Sequence, residues 1–146
     1  MKKIIFFLLT AAFLLSCKKD NLTSTTSPID KIMLDGAVVI SKGNLAFSAA
    51  DVSGKTASGP AVIYRQKNSR YVLALEDMNY KTVFDMGVYL SSTEAFSAGS
   101  LKLLSVKDFD QNLYFELPAG VYTDAYKYII IKKMAAADPV ATAILN

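Results

Sequence analysis

The sequence predicts an all-β fold, an antiparallel β-sandwich or a partly open barrel, that follows a signal peptide and a flexible tether. From Gly36 onward, short apolar stretches recur that are rich in the Val, Ile, Tyr and Phe favoured by strands. Residues that tolerate tight turns separate the stretches, and the length of 146 residues suits one domain. Nine short strands indicate a sandwich or barrel. The predicted strands are Ala37–Ser41, Leu45–Ala49, Ala61–Arg65, Tyr71–Glu76, Val88–Ser91, Leu101–Val106, Leu113–Leu117, Tyr128–Lys132 and Ala141–Leu145.

The first sixteen residues have the pattern of a secretory signal. Lys2 and Lys3 precede Ile4–Leu15, a run of twelve residues that is apolar at every position except Thr10. Such a run is too short for a hydrocarbon core of ~30 Å, which takes about 20 residues, but it suits the apolar region of a signal peptide. We therefore predict that residues 1–16 are a signal peptide.

The residues around the single cysteine resemble a known processing motif. Leu14-Leu15-Ser16-Cys17 is similar to the lipobox of bacterial lipoproteins. The resemblance implies cleavage between Ser16 and Cys17, diacylglycerol attachment to the Cys17 thiol and acylation of the new α-amine. An ordinary signal peptide with an incidental Cys is the alternative. Because two or three acyl chains bind a membrane stably, we expect a mature protein that is lipid-anchored in the cell envelope.

Residues 17–35 are predicted to form the lipid anchor and tether. Lys18-Lys19-Asp20 places no Asp directly after Cys17, of the kind associated with inner-membrane retention in some bacteria, so the outer membrane is favoured. The periplasmic and outer faces both remain open. Asn21–Pro28 is polar and rich in Ser and Thr, which is typical of a flexible tether. Ser27–Asp30 could cap a short helical turn before the β domain of residues 36–146.

Composition excludes several classes of function. The chain has no His, so it cannot build a Ser-His-Asp triad, a His-ligated zinc site or a bis-His haem. Removal of residues 1–16 leaves 130 residues, with 14 basic against 13 acidic side chains. This balance predicts no nucleic-acid partner. With Cys17 acylated, no thiol remains for a disulfide or for catalysis, and the fold depends on packing alone.

Turn residues between the predicted strands favour antiparallel hairpins. Each turn places Gly, Asn or Asp between apolar stretches. The predicted turns are Ser53-Gly54-Lys55, Lys67-Asn68-Ser69, Ser97-Ala98-Gly99 and Asp108-Phe109-Asp110. Tyr128–Ile131 is a continuous apolar run, which predicts a strand that is buried on both faces.

From Gly59 to Leu145, the order of several motifs resembles the DM13 domain, a small β-rich module of extracytoplasmic proteins. The matching segments are Leu73-Ala74-Leu75-Glu76-Asp77, Met86-Gly87-Val88-Tyr89-Leu90-Ser91-Ser92, Leu101-Lys102-Leu103-Leu104, Asn112-Leu113-Tyr114-Phe115-Glu116-Leu117-Pro118, Tyr128–Ile131 and Ala141–Leu145. The resemblance implies electron transfer through a Cys in the penultimate strand. Here Tyr128–Met134 contains no Cys, and Lys132-Lys133 stands near that position, so the residue is not carried over. Fe–S clusters and c-type haem likewise need Cys that the mature domain lacks.

Two patterns could hold a cation. Met33, Met78, Met86 and Met134 could ligate Cu(I) or haem only if the fold gathered several of them, and core or gap-filling methionine is the favoured interpretation. Asp108, Asp110 and Asn112 have the spacing that begins a calcium loop. Leu113 replaces the turn Gly and Ala119 replaces the bidentate Glu, so an ordinary polar turn is favoured. No metal site is predicted.

Two further sets of residues, a carboxylate pair and the tyrosines, could form a catalytic or a binding site. Glu76 and Asp77 are adjacent on a strand, so their side chains face opposite ways, and solvation at the strand end is favoured over paired catalysis. The chain has eight tyrosines, which could stack on sugars or peptides, although half-buried packing explains most of them. They include Tyr64, Tyr71, Tyr89, Tyr114, Tyr126 and Tyr128.

These observations favour a non-catalytic binding module, anchored in the envelope through Cys17, for another protein, a glycan or a small ligand. No catalytic residue and no cofactor is predicted, and no cofactor-binding residue can be named. The alternative is a DM13-type electron-transfer accessory protein that uses a cofactor or partner not visible in the sequence.

Overall fold

The computed structural model describes residues 34–49, 53–109, 112–121 and 123–146. The predicted signal peptide, Cys17, the tether up to residue 33 and the predicted turn at Ser27–Asp30 lie outside these residues. The described residues form eight strands and a short 3₁₀ turn at Thr123–Ala125. The strands are β1 Val38–Phe47, β2 Ser58–Arg65, β3 Tyr71–Leu75, β4 Tyr80–Ser91, β5 Leu101–Phe109, β6 Leu113–Glu116, β7 Tyr128–Lys133 and β8 Pro139–Ile144. The predicted all-β class is confirmed.

All eight strands belong to one antiparallel sheet in the order β5-β4-β7-β8-β1-β2-β3-β6. The two edge strands, β5 and β6, follow one another in the chain, and the sheet curls until it nearly closes into a barrel. Of the two predicted architectures, the protein adopts the partly open barrel. Within the described residues, β5 pairs with β4 and β6 with β3, so the barrel remains open along the seam between β5 and β6.

Alternate side chains of every strand fill the barrel interior. Ile63, Leu73 and Ile131 are examples of this interior layer, and all three are fully buried. Three aromatic rings meet there, one from β1 and two from the paired strands β4 and β5. The ring of Phe47 stacks on Tyr80 with centroids 4.0 Å apart, and Phe109 meets Phe47 edge-on at 5.4 Å. Stacked and edge-on rings of this kind add to area burial and connect β1, β4 and β5 across the interior.

Strand β1 differs from the prediction of two strands. The predicted break at Lys42–Asn44 pairs in register with β2, and only a bulge between Val39 and Ser41 interrupts the ladder. Gly43 lets β1 pass close to β8 without a break. A Cβ atom at this position would lie 2.2 Å from the carbonyl oxygen of Ile144 in β8. The glycine therefore marks a close backbone approach inside a strand rather than a turn.

Strand β4 begins eight residues earlier than predicted, at Tyr80 instead of Val88. Residues 82–85 form an irregular bulge, since Lys81 pairs with Asp108 and Met86 already pairs with Val106. The bulge breaks the apolar alternation from which the strand would have been recognised. The predicted turn at Asp108-Phe109-Asp110 is wrong for its first two residues, because both belong to β5; Asp110 lies outside the described residues.

Strand β7 is buried on both faces, as predicted. Ile129 and Ile131 face the interior, and Ile130, on the outer face, is also fully buried. The loop between β4 and β5 lies over this outer face. Its Phe96 ring packs edge-on against Tyr89 at 4.9 Å, and the ammonium of Lys132 lies 4.2 Å from the centre of the Phe96 ring. This loop therefore provides a small second core outside the barrel.

The other three predicted turns connect strands as expected. Residues 53–55, 67–69 and 97–99 lie between β1 and β2, β2 and β3, and β4 and β5, respectively. Across the described ranges, no helix combines the length and apolar composition needed to cross a membrane.

Candidate functional site

A cleft of about 450 Å³ opens at one end of the barrel. Its walls come from the β2–β3 turn, the end of β6 and the segment that leads to β7. Tyr71, Leu117 and Val121 line the cleft and also pack against the barrel core, so they form its apolar floor. Its volume falls within the ~300–1,000 Å³ of typical ligand pockets, which often occupy the mouths of β-barrels.

An ion pair forms one wall of the cleft. Nη1 of Arg70 lies 2.5 Å from Oε1 of Glu116, although these residues are 46 positions apart in the chain. The β2–β3 turn holds Arg70 in place, because its backbone N–H donates to Oδ1 of Asn68 at 3.0 Å and its carbonyl accepts from the N–H of Gln66 at 2.8 Å. The cleft thus presents a cation and a carboxylate side by side.

Two local turns shape the opposite wall. The N–H of Val121 donates to the carbonyl of Pro118 at 3.2 Å, and Gly120 between them has a φ of 83°. That left-handed conformation favours glycine. The 3₁₀ turn at Thr123–Ala125 then follows, with Thr123 buried and Asp124 exposed at the cleft. Both turns therefore place short polar groups and backbone at the rim.

Asp124 also borders a second, smaller cleft of about 280 Å³. This second cleft is lined by residues from the start of β1, from the segment before β7 and from the carboxyl end of the chain, including Ser41, Lys127 and Asn146. The two clefts share Thr123 and Asp124, so the 3₁₀ turn stands between them. This end of the barrel therefore carries two adjoining depressions separated by one acidic side chain.

The tyrosines do not form a single platform. Tyr71 and Tyr126 line the two clefts, while Tyr89 lies under the β4–β5 loop. On the outer face of β2, β3 and β6, the hydroxyl of Tyr114 donates to Oε1 of Glu76 at 3.2 Å. Burial, and secondarily the Glu76 carboxylate, raises the pKa of both Tyr64 and Tyr114. These two phenols therefore stay protonated beside a carboxylate.

The ordinary polar turn favoured for the calcium-loop pattern is wrong for Asp108, which belongs to a strand. Asp108 lies in β5, Asp110 is outside the described residues, and Oδ1 of Asn112 accepts a hydrogen bond from the N–H of Asp77 at 2.9 Å. Asp77 has a φ of 54°, so the Asn112 side chain holds a strained corner between β3 and β4. Asn112 is thus a structural residue of that corner.

The fold separates the methionines. Met78 and Met86 belong to the barrel core, which confirms the core interpretation for both. Met134 is exposed, and its Sδ contacts Tyr89 and Ser105 on the outer face of the sheet, so that interpretation is wrong for it. Met33 lies outside the described residues. The structure therefore does not gather Met78, Met86 and Met134 at one point. Within the described ranges, no three acidic, His or Cys side chains are grouped where they could hold a metal ion.

Sequence reasoning named Tyr71 among the possible stacking tyrosines but missed the charged residues of the cleft. Arg70, Glu116 and Asp124 come from three separate segments, and each looks like an ordinary surface charge in its own surroundings. Pro118-Ala119-Gly120 offered the one local signal, a turn with Gly where φ is positive. Only the pairing of β3 with β6 brings Arg70 to Glu116.

The fold and the site together define this protein as a small β-barrel that carries a charged cleft at its open end. Comparison of the chain with protein-family models, with curated proteins and with solved structures finds no match in any of the three. The proposals below therefore rest on the residues and geometry of this chain.

Proposed function

We propose that the protein is a non-catalytic binding module, held in the cell envelope by a lipid on Cys17, that takes its ligand in the cleft at the open end of the barrel. The observation that carries this proposal is the cleft itself, in which an apolar floor meets the Arg70–Glu116 pair. A rigid β-barrel that presents such a site on its loops is a common arrangement for binding.

The chemistry of the cleft suits a glycan. Sugars present hydroxyls that pair with carboxylates and guanidinium groups, and C–H faces that pack on aromatic rings. Arg70, Glu116 and Asp124 supply the charged partners, and Tyr71 supplies a ring on the floor. Arg70 offsets one of the two carboxylates, Glu116 and Asp124, and the small charge that is left favours an uncharged ligand over a strongly charged one.

The membrane anchor fits this role. Strand β1 begins at Val38, and Ile40 and Ser41 near its start line the smaller cleft, so the chain enters β1 at the end of the barrel that carries the clefts. A lipid on Cys17 would keep the module among envelope glycans and raise their effective concentration at the cleft. The outer membrane is the proposed location.

A pull-down with the native, anchored protein tests the proposal. We expect envelope material to be retained by the wild type and lost by Arg70→Ala and by Asp124→Ala. Lys42→Ala is the matched control, since it removes one exposed charge from β1 outside both clefts. Equal retention by all four proteins would contradict binding in the cleft, and retention of a protein instead of a glycan would redirect the ligand class.

The DM13-type redox alternative stays a prediction from sequence, and a visible spectrum separates it from the binding module. We expect protein purified from its native envelope to be colourless and redox-silent. A haem, flavin or copper band at near-stoichiometric occupancy would favour the alternative, because these groups absorb visible light and the protein side chains do not.

A further inference from the structure

Met134 stands out among the described methionines because its side chain is exposed. The residue is 42% exposed, whereas Met78 and Met86 are 1% and 0% exposed. Met134 follows β7, and its N–H donates to the carbonyl of Asp85 at 2.9 Å, so its backbone is held against the β4 bulge. Its position on the surface is therefore defined by a hydrogen bond.

Two hydroxyl groups point at the Met134 sulfur. Oη of Tyr89 lies 3.7 Å from Sδ, and Oγ of Ser105 lies 3.9 Å from it. Thioether sulfur is only a weak acceptor, so these contacts stabilise the reduced side chain little. A sulfoxide oxygen on the same sulfur is a strong acceptor, and placed between the two hydroxyls it would stand about 1 Å closer to each of them than the sulfur does. Both long contacts would then come within reach of ordinary O–H···O hydrogen bonds of about 2.7 Å.

Gly87 leaves the space that this arrangement of Tyr89 and Met134 requires. The Tyr89 ring lies over Gly87, where an added Cβ would be 2.5 Å from Cε2 and 2.7 Å from Oη of the tyrosine. Only glycine leaves room for the ring to lie along β4 and bring its hydroxyl toward Met134. Ser105 is the cross-strand partner of Gly87 on β5, which places the second hydroxyl beside the first.

The Tyr89 hydroxyl keeps its proton. Burial raises the pKa of Tyr89 above its ordinary value, and the Phe96 ring packs edge-on against it. The phenol is therefore a hydrogen-bond donor throughout the neutral range, as the holding of a sulfoxide requires.

We propose that Met134 is a reversible oxidation site, at which a hydroperoxide transfers one oxygen atom to Sδ and the hydroxyls of Tyr89 and Ser105 hold the resulting sulfoxide. The sulfur lone pair attacks the outer peroxide oxygen, the S–O bond forms as the O–O bond breaks, and the proton of the transferred oxygen passes to the leaving oxygen. With hydrogen peroxide the by-product is water, and the sulfur loses the two electrons that the peroxide gains. A thiol-dependent methionine sulfoxide reductase reverses the step with two electrons and two protons, releasing water.

Peroxide treatment of the mature, full-length protein tests where oxidation occurs. We expect peptide mass spectrometry to find a gain of one oxygen at Met134 about tenfold or more faster than at Met78 and Met86, since susceptibility follows exposure. Because the two hydroxyls lie on one strand pair, we also expect one sulfoxide epimer to dominate and to be repaired by one of the two stereospecific reductase classes. Oxidation of Met134 no faster than that of the two core methionines would overturn the proposal.

Melting temperatures before and after oxidation test the role of the hydroxyls. We expect oxidation to leave the wild-type melting temperature unchanged or higher, and to lower that of Tyr89→Phe and of Ser105→Ala by about 2–5 °C. Ser105 is exposed, so Ser105→Ala keeps the test available if Tyr89→Phe does not fold. Met134→Leu is the control that reports any effect of oxidising the other methionines. An equal loss in the wild type and in the hydroxyl variants would overturn the proposal.

Discussion

Gly43 illustrates how one missing side chain lets two strands approach. A Cβ at this position would lie 2.2 Å from the Ile144 carbonyl oxygen and 3.3 Å from the Cβ of Ala143. Neither neighbour is the end of a flexible side chain, so β1 and β8 would have to separate to accommodate it. The close contact of these strands therefore depends on the absence of a single methyl group.

We expect Gly43→Ala to lower the free energy of unfolding by about 1–3 kcal/mol, the usual cost of forcing extra atoms into a packed site. Thermal and denaturant unfolding measure the loss. Gly99→Ala is the matched control, because Gly99 has only Ser97 Oγ nearby, at 3.7 Å from an added Cβ, and we expect it to stay close to the wild type. Equal stability of the two variants would show that β1 and β8 are less closely packed than described.

The phenols of Tyr64 and Tyr114 make the free energy of unfolding depend on pH in the alkaline range. Burial and then the Glu76 carboxylate raise both pKa values, so the unfolded chain loses these protons first as the pH rises. The two protonated phenols therefore contribute fully to the free energy of unfolding below the ordinary pKa of about 10. This contribution is lost as the pH rises through the higher pKa values of the folded state.

We expect urea midpoints of the wild type to fall above about pH 10 more steeply than those of a Tyr64→Phe, Tyr114→Phe double variant. Glu76→Gln keeps a hydrogen-bond acceptor but removes the negative charge, and its decline should lie between the two. Superimposable pH profiles for all three proteins would contradict the assignment.

At the scale of elements, β7 is a central strand with two buried faces. Ile130 on its outer face is 0% exposed, and Phe96 of the β4–β5 loop packs on Tyr89, the cross-strand partner of Ile130. Ile144 in β8 is 54% exposed, so it serves as the exposed isoleucine with which Ile130 can be compared. The loop thus acts as part of the core, although it has no regular secondary structure.

We expect Ile130→Ala to cost about 2–5 kcal/mol of folding stability, as truncation in a core does. Ile144→Ala should cost less than about 1 kcal/mol, the range of strand propensity at an exposed position. Denaturant unfolding of both variants measures the difference. A cost for Ile130→Ala as small as that for Ile144→Ala would mean that the loop does not cover β7.

Local patterns predicted those parts of the fold that neighbouring residues determine. The all-β class, β3, β7 and the turns at 53–55, 67–69 and 97–99 follow from apolar runs and turn residues. The continuity of β1 and the early start of β4 did not follow from local patterns. The close approach at Gly43 and the bulge at 82–85 both depend on which strands lie alongside, and the local sequence does not specify those strands. A turn-like triplet in the sequence can be the point at which a third strand approaches.

The candidate site was beyond prediction for a related reason. The Arg70–Glu116 pair depends on the register of β3 with β6, and Asp124 reaches the cleft through two consecutive turns. A sequence without a motif does not state which distant strands will be neighbours. The cleft is therefore a property of the topology.

At the scale of the whole molecule, the lipobox prediction concerns how the domain is held. We expect Cys17→Ala to abolish lipid labelling and to leave the precursor uncleaved by the lipoprotein signal peptidase, because the thiol is the proposed acylation site. Radiolabelled fatty acid and gel mobility measure the two effects. Lys18→Ala, one residue away, should be labelled and cleaved as the wild type is. Lipid label that persists on Cys17→Ala would refute the anchor.

The proposed ligand site lies at the open end of the barrel, in the cleft beside the β2–β3 turn. Ser69 is exposed on the rim of the larger cleft, and Thr56 is exposed in the β1–β2 loop at the opposite end of β2. A photoreactive benzophenone side chain placed at either position in the anchored protein of living cells would report what lies within a few bond lengths of it. Thr56 thus serves as the matched control.

In-cell photo-crosslinking from residue 69 and from residue 56 is the most direct measurement. We expect a discrete crosslinked species from position 69, its loss when Arg70→Ala is added, and none from position 56. Crosslinks of equal yield from both ends, or crosslinks from position 69 that survive Arg70→Ala, would contradict a binding site in the cleft.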